Sequence, residues 1–407
     1  MSCTFREYLH TASKILHIRN VFLHVVGGVL LSFCFSVYSW VLPTLLSRFG
    51  VCFTGVVYSI VNFVSIFFLA IFGVFTDFVG RKPALIVSNF ISVIIFALLA
   101  LWWNNPVALT SVLFLEVVDI SFYYSAARSL IAESVKKAGL EQFLGTAFSI
   151  SATFAMFASA AGSFVGGYLI DVLGYSKVFV IFLILATTSL ILRFFYEETL
   201  EKRVSSISFE NPFAIFKQFG RLRGVRGLPY LIAYVSIIGL ISSIANVYIW
   251  IFMEKILGMS ASFIGLSFGI MECVSALVQP FAGRFVDRFG PVAGMAMMCI
   301  IAAPAVVAFA NAPNPWFAIL FITISSSAST FYYAGYSALV TRVTTEDVRA
   351  TTFGILSSIT KIASIPGPIL GAVLWKINPK LVFYTIAILY ITATTITTIL
   401  NKKQQNK

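Results

Sequence analysis

The chain has 407 residues, of which 59% are hydrophobic and only 11% charged. Soluble proteins carry roughly 25% charged residues, so a soluble fold is excluded and the chain reads as an all-α integral membrane protein. The formal net charge of +12 does not point to nucleic acid, because the basic residues sit in loops between apolar runs, where anionic lipid and topology account for them.

About 20 apolar residues in a helix cross a bilayer core. Twelve runs have that length: 20–45, 52–75, 84–103, 107–132, 146–170, 177–196, 229–252, 261–282, 292–311, 315–340, 352–375 and 380–400. They are far too long for barrel strands, and only helices or closed barrels satisfy backbone groups in lipid. No small-residue cleavage site follows the first run, which is expected to stay as a membrane helix. Cys3, Cys34, Cys52, Cys273 and Cys299 are scattered without CxxC or metal spacing and read as small packing residues.

With an inside N-terminus, 22 of the 28 Lys and Arg fall in inside segments. The outside segments hold Arg48, Lys177, Lys255, Lys376 and Lys380, and Lys361 stays within the membrane. That asymmetry predicts a multi-pass protein of the cell membrane with both termini cytoplasmic.

The longest connection, Glu197 to Leu228, is polar and basic. Within it Phe209, Phe213, Phe216 and Phe219 recur at helical spacing opposite Glu210, Lys217 and Gln218. This predicts an amphipathic helix on the inner membrane face. The expected organisation is an N-terminal bundle over 1–196, a cytoplasmic linker over 197–228 and a C-terminal bundle over 229–407.

The halves repeat each other. Gly73, Asp77 and Gly80, in the hinge between the second and third spans, map onto Gly283, Asp287 and Gly290 at a constant offset of 210 residues. Tyr123-Tyr124-Ser125-Ala126 in the fourth span matches Tyr332-Tyr333-Ala334-Gly335 in the tenth. The glycines from Gly162 to Gly167 in the fifth echo Gly367 and Gly371 in the eleventh. Copies in the same order, six spans each, are parallel repeats about an axis along the membrane normal.

The stretch Gly73-x-x-x-Asp77-x-x-Gly80-Arg81-Lys82 resembles the signature loop of the major facilitator superfamily, and the twelve spans, central loop and parallel halves extend the resemblance over the whole chain. The resemblance implies two six-helix bundles, related by a pseudo-twofold axis, that rock about a central cavity. It also implies that Asp77 and Arg81, with Glu133 at the inner end of the fourth span, hold the bundles together on the cytoplasmic side. Asp77 then faces the positive end of the eleventh span. The downstream copy, with Gly283, Asp287, Arg288 and Gly290, is the weaker one: Pro291 stands where Arg81 stands in the first. Two features depart from the family's exporters. Ser163 replaces the proline of their fifth-span pattern, though the glycine spacing still predicts close packing, and Glu116 stands where their fourth-span arginine would be.

Charges inside membrane helices cost at least about 2.5 kcal/mol each on insertion scales and are functional candidates by default. Glu116 and Asp119 lie at mid-depth of the fourth span, three residues apart and so on one face. Two carboxylates so close in a low dielectric cannot both ionise easily, which is what a proton carrier needs. The pair also suits a cationic solute. Glu272 in the eighth span and Lys361 in the eleventh either face the cavity or form a structural ion pair. Lys361 precedes Pro366-Gly367-Pro368, which must break or kink its helix. The third, sixth, ninth and twelfth spans carry no central charge, and the resemblance implies that these four pack outside. His24 reads as an interfacial histidine, and Tyr38, Trp40, Trp102, Trp103, Trp250, Trp316 and Trp375 as an aromatic belt. Asn62, Asn246 and the polar run Ser325–Ser329 either bind solute or bond between helices.

No phosphate-binding loop or catalytic constellation stands out, so neither an enzyme nor a cofactor is expected. The residues predict a monomeric secondary active transporter of a small organic solute, coupled to protons. A drug or metabolite efflux pump of the same fold is the alternative, and a non-transporting membrane sensor a third.

Overall fold

The structure is a computed structural model that describes residues 5–200, 227–344 and 346–405, the side chains of 5–10, 69–75, 77, 125, 346–351 and 402–405 excepted. The expected helix on Phe209, Phe213, Phe216 and Phe219 lies outside the described residues. So does the Asp77 side chain.

Among the described residues there is no strand. The helices are α1 (Phe5–Leu16), α2 (Arg19–Ser47), α3 (Val51–Val79), α4 (Arg81–Trp102), α5 (Pro106–Lys137), α6 (Leu144–Leu173) and α7 (Tyr175–Phe194), then α8 (Leu228–Lys255), α9 (Ala261–Phe289), α10 (Pro291–Ala310), α11 (Pro315–Val343), α12 (Glu346–Ser364), α13 (Gly367–Ile377) and α14 (Pro379–Gln405). Among the described residues twelve spans are long and apolar enough to cross a membrane, with α12 and α13 together making the eleventh. The chain is a multi-pass membrane protein.

Local chemistry explains the ends. α5 and α11 start with Pro106 and Pro315, whose missing N–H has no helical partner to lose. Asn105 caps α5 by accepting from Val107 N at 2.9 Å, and Asn314 caps α11 from Phe317 N at 3.2 Å. The two hinges turn at Gly80 (φ 112°) and Gly290 (φ 94°), backbone that a side chain disfavours. The break expected at Pro366-Gly367-Pro368 is present, because Pro366 and Pro368 offer no N–H to continue the ladder.

The short helix α1 has no counterpart in the sequence expectation, which sought runs of bilayer length. Its Ala12, Ile15 and Leu16 pack on a cluster of Val21, Val25, Ile131, Val135, Ala147 and Ile150, joining α1 to α2, α5 and α6.

The described residues gather into two compact units: those up to Ser39 with those from Phe67 to Leu200, and Trp40–Ile66 with those from Gly227 on. In the first unit, α6 packs on α2 with almost no gap. A Cβ on Gly162 would stand 2.3 Å from the Phe33 carbonyl oxygen, and one on Gly166 would stand 2.3 Å from Val37 Cγ2. Close approach through small residues is how membrane helices gain contact without a hydrophobic driving force.

The expected aromatic belt holds only in part. Trp102 and Trp316 are 52% and 60% exposed, but Tyr38, Trp40 and Trp250 are 3%, 1% and 6% exposed. Those three face neighbouring helices, a direction that position near a helix end does not specify.

Candidate functional site

The site starts on α5, which presents Glu116 and Asp119 one turn apart. Asp119 is 5% exposed. Two hydroxyls of α4 hold its carboxylate: Ser92 Oγ donates to Oδ2 at 2.6 Å, and Ser88 Oγ donates to Oδ1. Their spacing of four residues puts both on one face of α4. Glu116 is half-buried and accepts from the Tyr38 hydroxyl of α2 at 2.9 Å. Both acids, with Ser32, Phe35, Tyr123 and Tyr124, wall a cavity of about 230 Å³ within the first unit, and among the described residues no basic side chain lines it. A carboxyl group can take up and release a proton where it stands, and as an anion it attracts a cation. This cavity offers both. Hollows of about 500 and 650 Å³ among the second unit's helices are larger but carry no carboxylate.

Behind the cavity lies a polar cluster that sequence reasoning missed. Arg193 of α7 is 1% exposed. Its Nε donates to Asn89 Oδ1 at 3.1 Å, its Nη1 lies 3.2 Å from His24 Nδ1, and Nη1 also donates to the Tyr196 hydroxyl. Asn89 Oδ1 further accepts from Ser189 Oγ at 2.9 Å. The His24 ring stacks on Tyr123 of the cavity wall, centroids 6.0 Å apart. His24, expected at the interface, is 3% exposed. Arg193 falls in the last turn of its span, where a basic residue reads as an inside loop charge. The available signal was Ser189 and Arg193, four residues apart in an apolar run and hence on one face.

At the first hinge, Arg81 Nε donates to Glu133 Oε1 at 3.2 Å, and the Thr199 hydroxyl donates to Glu133 Oε2. Glu198 covers the start of α4, its two oxygens accepting from the N–H groups of Arg81 at 3.1 Å and Lys82 at 3.3 Å. A carboxylate there meets the helix's unpaired donors and the positive end of its dipole. No local signal revealed Glu198, which lies far along the chain. Gly73 lies in α3. At the second hinge Gly283 is in α9, Asp287 and Arg288 are exposed at its end, and the Arg288 guanidinium stands 5.2 Å from the Phe289 ring centroid. Glu272 is half-buried on α9 and Lys361 exposed on α12; neither belongs to the wall around Glu116 and Asp119.

Twelve membrane-crossing helices and a carboxylate pair in an intramembrane cavity are the build of a solute transporter. The family profile described as Major Facilitator Superfamily matches residues 25–254 and 230–406. The chain belongs to that superfamily and has its all-α, twelve-helix fold. It is similar to the multidrug resistance protein MdtG of Dickeya zeae, at 24% identity over 374 residues and 87% of each chain. It is also similar to a Na(+), Li(+), K(+)/H(+) antiporter of Planococcus maritimus, at 27% identity over 116 residues and 27% of each chain. Among solved structures, the nucleoside transporter NupG superposes with a TM-score of 0.72 at 17% identity, over 96% of this chain and 100% of that one.

Proposed function

We propose that this transporter is a proton-coupled secondary carrier of a small organic solute, working by alternating access. Glu116 and Asp119 form its proton- and solute-binding site, and Glu272 and Lys361 contribute from the second half. One observation carries the reading: two carboxylates wall one small cavity, Asp119 buried and held by two serine hydroxyls, Glu116 half-buried and held by the Tyr38 hydroxyl. Burying a charge is expensive, which makes ionisable groups kept inside a span functional candidates, and a pair that binds either a proton or a cation couples the two by competition. Likeness over 27% of the chain to a proton antiporter agrees with it. The proposed setting is the cell membrane, with both termini cytoplasmic and a monomer as the working unit. Asp77, Arg81 and Glu133 are proposed to shut the cytoplasmic side, with Gly283, Asp287, Arg288 and Gly290 as the weaker counterpart.

The test begins with a ligand panel on purified protein, because binding to the native state raises its melting temperature. A hit is then assayed in proteoliposomes with an internal pH dye. Solute flux should carry protons, and Glu116→Gln should abolish the coupled movement. Wild-type flux indifferent to a collapsed pH gradient would sink the coupling.

A second reading, efflux of amphipathic cations, is favoured by the cavity wall, where Phe35, Tyr123 and Tyr124 stand beside the carboxylates without a basic residue. Aromatic faces attract cations, and MdtG, similar over 87% of the chain, is named for multidrug resistance. Cells lacking other pumps should accumulate less of a cationic dye on expression; unchanged accumulation removes this reading.

A further inference from the structure

The second unit holds a hollow of about 500 Å³ that the carrier reading does not use. Ile270, Val274 and Val278, four residues apart, line it as one stripe of α9, and Thr323, Ser327 and Phe331 do the same from α11. Among the described residues no charged side chain lines it. None of its wall residues lines the carboxylate cavity, which belongs to the first unit.

One wall residue is out of keeping with its surroundings. Thr323 is 6% exposed, and its Oγ1 has no hydrogen-bond partner among the described residues. A hydroxyl inside a helix ordinarily bonds a carbonyl of the preceding turn. Ser327, Thr330 and Thr344 of the same helix do so, at 2.7, 2.7 and 2.6 Å. Thr323 does not, and a buried hydroxyl left unmet is costly. Ser327 already gives its proton to the Thr323 carbonyl, so the Thr323 hydroxyl is the unmet buried donor of the wall. The Trp316 indole, the other side-chain donor, stands at the exposed rim seven residues earlier. A water would want two to four polar partners, and a wall of aliphatic and aromatic groups supplies few.

We propose that this hollow is a second binding site, for a neutral, single-chain apolar molecule that carries one carbonyl and accepts a hydrogen bond from Thr323. The apolar stripes desolvate the chain, and the single unmet donor seats a single acceptor. A wall without charge does not read a phospholipid headgroup or an ion. The volume lies within the range of about 300–1,000 Å³ typical of small-molecule sites. Such a site discriminates a ketone from the plain hydrocarbon, because the hydrocarbon leaves the donor unmet. The inference does not rest on the carrier reading.

The test uses the full chain in nanodiscs of dioleoylphosphatidylcholine. The probe is a 2-dodecanone with an alkyl diazirine at its far end, and labelled peptides are mapped by mass spectrometry. The label should saturate on α9 and α11. At matched mole fraction in the bilayer, 2-dodecanone should compete for it about two- to tenfold better than n-dodecane, the span of one neutral hydrogen bond. Thr323→Val, which keeps the shape and removes the hydroxyl, should erase that preference and leave the n-dodecane value unchanged. Thr323→Ser should retain it. Without probe, Thr323→Val should melt no lower than the parent, because no partner is lost; a lower melting temperature means that the hydroxyl is bonded within the protein, and overturns the site. Val274→Phe, which fills the hollow and keeps the hydroxyl, should remove the saturable label, and it carries the test if Thr323→Val does not fold. Label that saturates elsewhere, or competition without a ketone preference, overturns the proposal. Label that never saturates against the excess of lipid also overturns it, and leaves acyl chains as the occupant.

Discussion

At the scale of single residues, the buried charges divide by what surrounds them. Asp119 and Arg193 are both almost wholly buried, yet neither forms an ion pair with a described residue. Each is held by neutral hydroxyl, amide or ring groups. That makes the neutral partners indispensable, since a buried charge that loses a hydrogen bond loses more than a neutral group does. Asn89 is 0% exposed and serves Arg193, Ser189 and the Ala186 carbonyl together. Asn89→Ala should destabilise the protein by about 1–3 kcal/mol, read as a lower melting temperature in detergent, whereas Asn105→Ala at the exposed cap of α5 should cost about 1 kcal/mol or less. Equal losses would mean that the cluster contributes nothing beyond ordinary polar contacts. The carboxylate pair was legible in the sequence because charge is rare in a span. The arginine was not, because a long side chain at a helix end can run inward or outward, and only packing decides.

At the scale of elements, apolar length located every span, and chain chemistry located the hinges and the break in the eleventh span. What length could not show was an element too short to span. α1 is anchored by Ile15 on a cluster from α2, α5 and α6, and its apolar residues recur at helical spacing without forming a continuous run. The fifth-span glycines were legible as packing residues, though not their partner, which the structure identifies as α2. Gly162→Leu should be severe: even a Cβ there overlaps the Phe33 carbonyl, and overpacking a tight contact costs about 1–3 kcal/mol or more. Gly145→Ala, where an added Cβ meets nothing within 4 Å, should leave expression and monodispersity unchanged. Fluorescence-detected size exclusion separates the two outcomes.

At the scale of the whole molecule, the chain is doubled in structure but not in chemistry. The offset of 210 residues that relates the hinges also carries His24 onto Tyr234 and Asn89 onto Cys299. The structure keeps the geometry: His24 stacks on Tyr123, and Tyr234 lies beside Tyr332, each pair with centroids 6.0 Å apart. The groups differ, since Tyr234 meets Cys299 and the Met295 carbonyl where His24 meets Arg193. Ser88 and Ser92, which hold Asp119, give way at the same offset to Met298 and Ala302. Around this position one half carries a histidine, an amide and two serines, and the other has a tyrosine, a cysteine, a methionine and an alanine in their places.

The hinges follow that division. The first is tied by Arg81 to Glu133 and capped by Glu198; the second ends in Asp287 and Arg288, both exposed. The gate proposed at the hinges works through the free-energy difference between its open and shut states, and a coupling of about 1–3 kcal/mol changes a population by about 5- to 150-fold. A tied, partly desolvated hinge can hold such a difference; exposed charges screened by solvent hold little. Asp77→Asn and Arg81→Ala should therefore each lower the transport rate by about fivefold or more, while Asp287→Asn stays within about twofold of wild type. Initial rates in proteoliposomes at matched protein content give the comparison. If the two aspartates respond alike, the gating load is shared between the halves and the asymmetry of their side chains has no consequence for the cycle.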